Sequence, residues 1–187
     1  MQLNDAMSEF SKYQDKIERI LITEEMLEFA KSLESEVGIH RTKTSPLDSM
    51  IGILGEIAFA VWLKGNWSWH DPRLRRGQID FDSSVEIKTS AFKFTPNLNL
   101  LVREDYAIAR SPNFYVQVII DIETKSQMRL EKDIQMFLCG YATHIEIQNA
   151  PLKDFGSKFG GRGGYKCHYI PLNKLHQMAM LRELLTP

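Results

Sequence analysis

The feature that most constrains this chain is a helix-length segment with almost no charge. Residues 49–63 read SMIGILGEIAFAVWL, and Glu56 is the only charged residue among them. The preceding Ser45-Pro46-x-Asp48 predicts the start of the helix, with a capping serine, a proline at the first helical position and an acid in the first turn. A helix that is apolar on all sides is buried on all sides. We therefore expect other elements to pack around this helix, which should end near Gly65.

Beyond this helix the hydrophobic pattern changes to the period of two that is typical of β-strands. Residues 78–81 (QIDF) and 85–88 (VEIK) flank the turn-forming residues Asp82-Ser83-Ser84, which predicts a β-hairpin. A three-residue loop would pair Phe81 with Val85. A two-residue loop would shift the register by one and place the acids of the two strands on opposite faces.

The three-residue loop brings three chemically active side chains together. Asp80 then lies opposite Glu86, and directly opposed residues point to the same face of a sheet. Lys88 is two residues beyond Glu86 and shares that face. The other face is apolar and contains Ile79, Phe81, Val85 and Ile87. Only this register makes both faces chemically consistent.

Further amphipathic and apolar runs complete the predicted fold. We expect helices over residues 4–21, from Thr23 to Gly38, and after residue 172, and strands over residues 114–121, 136–147 and 165–170. This order predicts an α/β fold with a mixed central β-sheet flanked by helices. We expect a single domain over residues 1–187, with residues 1–44 as a helical cover and residues 45–187 as the α/β core.

Composition favours a cytoplasmic protein without a membrane segment. Cys139 and Cys167 form no CxxC pair, which argues against a disulfide framework and against a structural zinc site. The acidic N-terminus and the lack of a long apolar run argue against a secretory signal or a membrane span. The net charge of -1 argues against a protein that coats nucleic acid non-specifically. Charge is nevertheless segregated, because residues 151–174 carry five bases and one acid, which predicts either a basic face or a solvated loop.

The opposed carboxylates suggest a bound cation. Two acids that face each other across a strand pair repel, unless a positive group compensates them. Mg²⁺ prefers one or two carboxylates together with waters and substrate phosphate. Lys88 could hold an attacking water or stabilise the negative charge that develops on phosphorus. These are the parts that phosphodiester hydrolysis requires.

Glu56 extends this group from the buried helix. A lone acid in such a helix costs several kcal/mol unless it is paired or bound to a metal. The preferred interpretation is that Glu56 joins Asp80 and Glu86 around the ion. The alternative is a structural salt bridge between Glu56 and either Lys88 or Arg41.

These residues together resemble the PD-(D/E)XK nuclease superfamily. The matching pieces lie within about residues 45–120 and are Gly55-Glu56, Ile79-Asp80 and Glu86-Ile87-Lys88. The resemblance implies a restriction-endonuclease-like fold, dependence on Mg²⁺ with Mn²⁺ as a substitute, and cleavage of DNA or, less often, RNA to leave 5′-phosphate ends. It implies that Asp80, Glu86 and the backbone carbonyl of Ile87 bind the metal, that Lys88 is catalytic and that Glu56 is an accessory ligand. Many such nucleases act as dimers, so a homodimer is a further expectation.

Other residues are weaker candidates. Gln117 lies in the strand FYVQVIID, where similar nucleases often carry a polar residue near the site, and a hydrogen-bonded core glutamine is the alternative. The three arginines Arg73, Arg75 and Arg76 precede the hairpin and are expected to contact nucleic-acid phosphate, unless they form a solvated loop. Asp82 could replace Asp80 as a ligand, although a turn-capping role fits its position better.

Two further groups allow both a structural and a functional interpretation. The tryptophans Trp62, Trp67 and Trp69 could stack on bases, but such residues are more often part of the core. The pairs His70-Asp71 and Cys167-His168 lack the partners that a metal site requires.

The predicted function is Mg²⁺-dependent hydrolysis of phosphodiester bonds in nucleic acid, with DNA as the expected substrate. One alternative is a catalytically inactive nucleic-acid-binding or assembly module that keeps the nuclease fold. The other is a purely structural ion-pair cluster in an unrelated α/β protein.

Overall fold

A four-stranded mixed sheet lies at the centre of the fold. The computed structural model describes residues 17–37, 46–72, 78–95, 97–123, 130–155 and 165–186. Within these residues the strands are β1 (Glu18–Leu21), β2 (Val85–Phe92), β3 (Asn99–Arg103), β4 (Phe114–Asp121), β5 (Gln135–Thr143), β6 (Leu152–Asp154) and β7 (Lys166–Pro171). The α-helices are α1 (Glu24–Val37), α2 (Pro46–Lys64), α3 (Glu104–Ala109), α4 (His144–Asn149) and α5 (Met178–Leu185), and short 3-10 helices cover Trp67–Trp69 and Leu172–Lys174.

The central sheet has the strand order β1-β5-β4-β2. Strand β2 runs parallel to β4, whereas the β4–β5 and β1–β5 pairs are antiparallel. The predicted mixed sheet flanked by helices is therefore confirmed. Among the described residues β2 is the last strand in this order, so one of its edges is not paired with another strand of the sheet.

One face of the central sheet is covered by α1, α2 and α5. The core on this side is almost wholly apolar and includes Val85, Ile87, Val116, Val118, Ile120 and Leu138 from the strands. Helix α2 approaches β2 closely, because a Cβ placed on Gly55 would lie 1.8 Å from the Oγ1 atom of Thr89. The residue at position 55 must therefore be a glycine for the helix to sit at this distance from the strand.

The opposite face of the central sheet packs on a second sheet with the order β3-β7-β6 and on α3 and α4. Its buried residues include Tyr115 and Ala142 from the central sheet, Leu100 and Val102 from β3 and Ile147 from α4. The two faces thus belong to a layered α/β sandwich in which helices cover one side and a small sheet with short helices covers the other.

Helices α1 and α2 confirm their sequence predictions. The backbone N–H of Met26 donates to Oγ1 of Thr23 over 3.3 Å, which is the predicted cap of α1. Helix α2 ends at Lys64, and Gly65 follows with a φ of +68°, the left-handed conformation that commonly terminates helices. The predicted start of α2 at Ser45 and the predicted end of α1 at Gly38 lie outside the described residues.

Two predicted elements are wrong in part. Glu18–Leu21 is a strand that pairs with β5, so the predicted helix over residues 4–21 does not include them and residues 1–44 are not solely a helical cover. Residues 1–16 lie outside the described part. The strand predicted over residues 136–147 stops at Thr143, because a capping box between Thr143 and Glu146 starts α4 there.

The predicted hairpin strand over residues 78–81 is also wrong. Only Phe81 pairs with the following strand, through a single antiparallel bridge to Val85. Asp80 and Glu86 do not form the predicted cross-strand pair. The predicted pairing of Phe81 with Val85 around a three-residue loop is nevertheless confirmed.

Candidate active site

The loop before β2 folds back along the outer edge of that strand. Phe81 and Val85 exchange two backbone hydrogen bonds of 3.0 Å, and the intervening Asp82 and Ser83 adopt positive φ values of 45° and 56°. The exposed Asp82 is thus part of a tight turn, in agreement with its expected turn role.

Asp80 takes the position that a further hydrogen-bonded residue would occupy. Its Oδ2 atom accepts a 2.7 Å hydrogen bond from the backbone N–H of Ile87. Because the N–H and C=O groups of one residue point to the same side of a strand, the carbonyl of Ile87 points to this same edge. Asp80 therefore reaches β2 by capping its edge and not by facing Glu86 across a ladder.

Glu86 and Lys88 lie on the face of β2 that is turned away from α2. Nζ of Lys88 is 2.7 Å from Oε1 of Glu86, and Nη1 of Arg110 is 3.2 Å from the same oxygen. The Glu86 side chain is only 6% exposed. Its second oxygen, Oε2, is buried and has no hydrogen-bond partner. An unpaired buried carboxylate oxygen is costly, so this atom is a candidate ligand position.

Glu56 approaches β2 from the helix-covered side and binds His70. Nε2 of His70 lies 2.7 Å from Oε2 of Glu56, and the imidazole stacks on Phe81 with ring centroids 4.0 Å apart. The partner of Glu56 in an ion pair was expected to be Lys88 or Arg41. Lys88 pairs with Glu86 instead, and Arg41 lies outside the described residues.

Electrostatics couple the three acids. The pKa of Glu56 is raised to about 8, mainly by burial and also by the nearby Glu86 carboxylate, while Lys88 lowers it. Burial also raises the pKa of Asp80 well above its ordinary value, with added repulsion from Glu56 and Glu86. Like charges in a poorly solvated place favour protonation of some members of the group, or the arrival of a cation.

The geometry of the acids as they stand is not that of a metal site. Among the residues that the structure describes, no three histidine, cysteine, aspartate or glutamate side chains converge in a way that could hold a metal ion. Each carboxylate instead binds a protein donor, namely His70, the Ile87 N–H, or Lys88 with Arg110. The donor chemistry of three carboxylates and a carbonyl suits Mg²⁺, and Glu86 Oε2 is unsatisfied. The residues present therefore fit the ion chemically, but the side chains would have to reorient around it.

Gln117 lies beside the site on the neighbouring strand. It is the register partner of Lys88 in the parallel β2–β4 pair, and its Nε2 donates to the carbonyl of Val118 over 2.8 Å. The side chain is buried. Its position agrees with both interpretations, because a core glutamine next to Lys88 is also next to the candidate site.

The remaining predicted groups are placed as follows. Arg73, Arg75 and Arg76 lie outside the described residues. Trp62 is buried in the core against Phe59, and the partly buried Trp67 packs on Phe29 at the edge of the same core. Trp69 is 43% exposed and stacks on Phe81. Cys167 is buried, and Nδ1 of His168 lies 3.0 Å from the carbonyl oxygen of Ala150.

Three residues around the acids are not predicted from the sequence as partners of the site, namely His70, Arg110 and Tyr106. The ring centre of Tyr106 on α3 lies 5.6 Å from the Lys88 ammonium and 5.3 Å from the Arg110 guanidinium. A basic residue at the end of an amphipathic segment carries no distinguishing sequence signal. Tyr115, the register partner of Glu86, also borders the site, and burial raises its pKa to about 12.

Known proteins give no independent information on this geometry. No protein-family model matches the chain, and no curated protein or solved structure matches it. In the part of the chain that the structure describes, no helix combines the length and the apolar character needed to cross a bilayer.

Proposed function

We propose that this protein is a Mg²⁺-dependent nuclease of the PD-(D/E)XK type that hydrolyses phosphodiester bonds in DNA. The observation that carries the proposal is the meeting of Glu56, Asp80, Glu86 and Lys88 around one edge strand, with the buried Oε2 of Glu86 unpaired. Glu86 raises the pKa of both Glu56 and Asp80, and buried acids with perturbed pKa values are typical of functional sites. A mixed sheet flanked by helices is compatible with a restriction-endonuclease-like fold.

Glu56, Asp80, Glu86 and the carbonyl of Ile87 would hold Mg²⁺, for which Mn²⁺ can substitute. The ion, when bound, supplies Lewis acidity toward the phosphate and lowers the pKa of a bound water. Of these four groups, the Ile87 carbonyl already points to the edge that Asp80 caps. His70 then holds the Glu56 side chain in place through its imidazole.

Lys88 is the residue that acts on the substrate in this proposal. Its ammonium lies between the Glu86 carboxylate and the ring of Tyr106, which fixes the position of a long and otherwise flexible side chain. From there it can hold a water for attack on phosphorus or stabilise the negative charge that develops on the phosphate oxygens. Arg110 contacts the same Glu86 oxygen and can balance that carboxylate when Lys88 turns toward substrate.

The test is cleavage of supercoiled plasmid and of single-stranded DNA with Mg²⁺, with Mn²⁺ and with EDTA. We expect cleavage only with metal and a loss of about 100- to 1000-fold in rate for Lys88→Ala, the range found when one transition-state donor is removed. Asp80→Asn should lose activity as well. Lys93→Ala is the matched control, because Lys93 follows the same strand but is exposed and pairs with Glu123. Cleavage that survives EDTA, or equal rates for the Lys88 and Lys93 variants, would refute the proposal.

A catalytically inactive nucleic-acid-binding or assembly module is the second candidate. It is favoured by one observation, namely that every carboxylate of the group already has a protein partner while no described set of side chains converges on a metal. Binding of DNA without cleavage under any metal condition would support this candidate and exclude the first.

A further inference from the structure

Cations and aromatic rings continue from Lys88 across the surface of the second sheet. Tyr106 lies on α3, and its ring contacts the ammonium of Lys88. The guanidinium carbon of Arg103 lies 4.8 Å from the centre of the same ring. Arg103 in turn lies 5.6 Å from the ring centre of Tyr165. One arginine therefore bridges the candidate site and the start of β7.

The same pattern extends to the edge strand β6. The backbone N–H of Phe155 donates to the carbonyl of Tyr165 over 3.2 Å, which holds the two residues side by side. Nζ of Lys153 lies 5.6 Å from the centre of the Phe155 ring. We call Tyr106, Arg103, Tyr165, Phe155 and Lys153 the aromatic–basic track, because rings and cations alternate along it.

Two rings of this track, those of Tyr165 and Phe155, are partly accessible to a ligand. Tyr165 is 48% exposed and Phe155 is 36% exposed, although both are large side chains that gain free energy from burial. Phe155 rests with its edge against Tyr169, at a centroid distance of 5.8 Å in a T-shaped arrangement. Such support fixes the orientation of a ring and leaves one face able to accept a flat group.

The charges of the track favour an anionic ligand. Arg103 forms an ion pair with Asp105, yet its side chain remains 43% exposed. Lys153 is exposed on β6, whereas Asp154 and its register partner Lys166 alternate to the other face of the second sheet. A nucleic-acid strand carries anionic phosphates and flat bases, which cations and aromatic rings respectively bind.

We propose that the aromatic–basic track binds a single strand of nucleic acid and leads it to Lys88. Bases would stack on Tyr165 and Phe155, and backbone phosphates would contact Arg103 and Lys153. Exposed ring faces suit unpaired bases, because the bases of a duplex are already stacked on each other and offer only their edges. The assignment of Lys88 as the end of the track rests on the proposed nuclease function, whereas binding by the track does not.

The experiment is fluorescence anisotropy in EDTA with a labelled 20-nucleotide oligothymidine and with a 20-base-pair duplex. Stacking on an aromatic ring changes affinity by about 5- to 150-fold per base. We therefore expect Tyr165→Ala and Phe155→Ala each to raise the Kd for the single strand by about that factor, while Tyr165→Phe and Phe155→Tyr keep the affinity. Lys153→Ala should weaken binding and reduce its dependence on salt.

Two variants outside the track serve as controls. Leu184→Ala removes an exposed apolar side chain from α5, and Lys132→Ala removes an exposed lysine from the turn before β5. Both should bind as the wild type does. Circular dichroism and melting temperature check that each variant is folded.

The outcomes separate this inference from the proposed function. Unchanged single-strand affinity in the Tyr165 and Phe155 variants would overturn the track, and so would an equal loss of affinity for the duplex, even if the protein cleaves DNA with Mg²⁺. Binding that depends on both rings in a protein that never cleaves would support the track and refute the nuclease function.

Discussion

The two faces of the central sheet are built from the same strands but from different chemistry. Toward the helices, β2 and β4 place Val85, Ile87, Val116 and Val118 in an apolar core. Toward the second sheet, the residues between them are Glu86, Lys88, Tyr115 and Gln117, which lie opposite one another in register. Strand alternation therefore separates a stabilising face from a face that carries ionisable groups.

This difference shows where the fold tolerates an unfavourable arrangement. The helix-covered face excludes charge, and Glu56 lies at its border with 19% of its side chain exposed. The other face holds Glu86 with one oxygen unpaired next to the free edge of β2. Buried polar groups that are not fully satisfied lower stability, so their retention favours a functional role.

The largest expected effect is on the pH dependence of the free energy of unfolding, to which Glu56 contributes at the border between the two faces. Because the pKa of Glu56 is raised to about 8 in the fold, its contribution to the free energy of unfolding is fully present below pH 4.5 and is lost as the pH rises through about 8. Glu56→Gln should remove this loss and make the variant more stable at pH 8 by up to about 4 kcal/mol, at about 1.4 kcal/mol per pKa unit.

Urea denaturation between pH 4.5 and 8.5 without metal measures this effect. Glu28→Gln, which changes an exposed acid on α1, should give a curve parallel to that of the wild type. If the Glu56→Gln curve were also parallel to that of the wild type, the raised pKa of Glu56 would be contradicted.

The next effect tests whether the polar face accepts a cation. Mn²⁺ at about 100 times its Kd should stabilise the fold by about 2.7 kcal/mol, which raises the melting temperature by several degrees. Glu86→Gln should abolish this shift, because it removes the carboxylate with the unpaired oxygen. Glu123→Gln changes an exposed acid near the end of β4 and should leave the shift intact. If Mn²⁺ raised the melting temperature of both variants equally, Glu86 would not be a ligand of the cation.

A smaller effect tests the close contact on the helix-covered face. Gly55→Ala should cost about 1 to 3 kcal/mol, since its Cβ would overlap Thr89 at 1.8 Å. Gly52→Ala on the same helix meets no atom within 4 Å and should stabilise the protein by about 0.5 to 1 kcal/mol. Denaturation midpoints measure both, and a loss for Gly52→Ala would contradict the packing difference.

The smallest effect compares helix caps on the two sides. Thr23 caps α1 on the helix-covered side, and Thr143 caps α4 on the other side with a reciprocal bond from Thr143 N–H to Glu146. Each Thr→Ala change should cost about 1 kcal/mol. The Thr143 variant should lose more, because the capping box loses both side-chain bonds of its hydroxyl. Thermal unfolding checks the order, and a larger loss at Thr23 would reverse it.

The sequence predicts elements whose pattern is local and long. The apolar run of α2 and the β-branched run of β4 are both found where expected. The strand at Glu18–Leu21 was predicted as helix, because apolar residues four apart, such as Ile17 and Leu21, satisfy both a helical period and a period of two. The capping signature Thr143-x-x-Glu146 could have located α4, but the alternating apolar residues around it also fit a strand.

The candidate site depends more on contacts that are distant in sequence. Asp80, Glu86 and Lys88 are close in the chain and were found as a group. The hydrogen bond of Glu56 with His70 and the ion pair of Glu86 with Arg110 join residues 14 and 24 positions apart. No local pattern encodes such partners, since they depend on how α2, α3 and β2 pack.

The hydrogen bond from Ile87 to Asp80 has a consequence for solubility. An unpaired strand edge can template the addition of a strand from another molecule, and proteins resist this with charged side chains at the edge. Asp80 occupies the Ile87 N–H on the outer edge of β2, and the Phe81 bridge occupies that of Val85. The aspartate proposed to bind metal thus also protects β2 against intermolecular strand addition. Replacing Asp80 with an apolar residue is then expected to promote aggregation, an effect that does not depend on the proposed function.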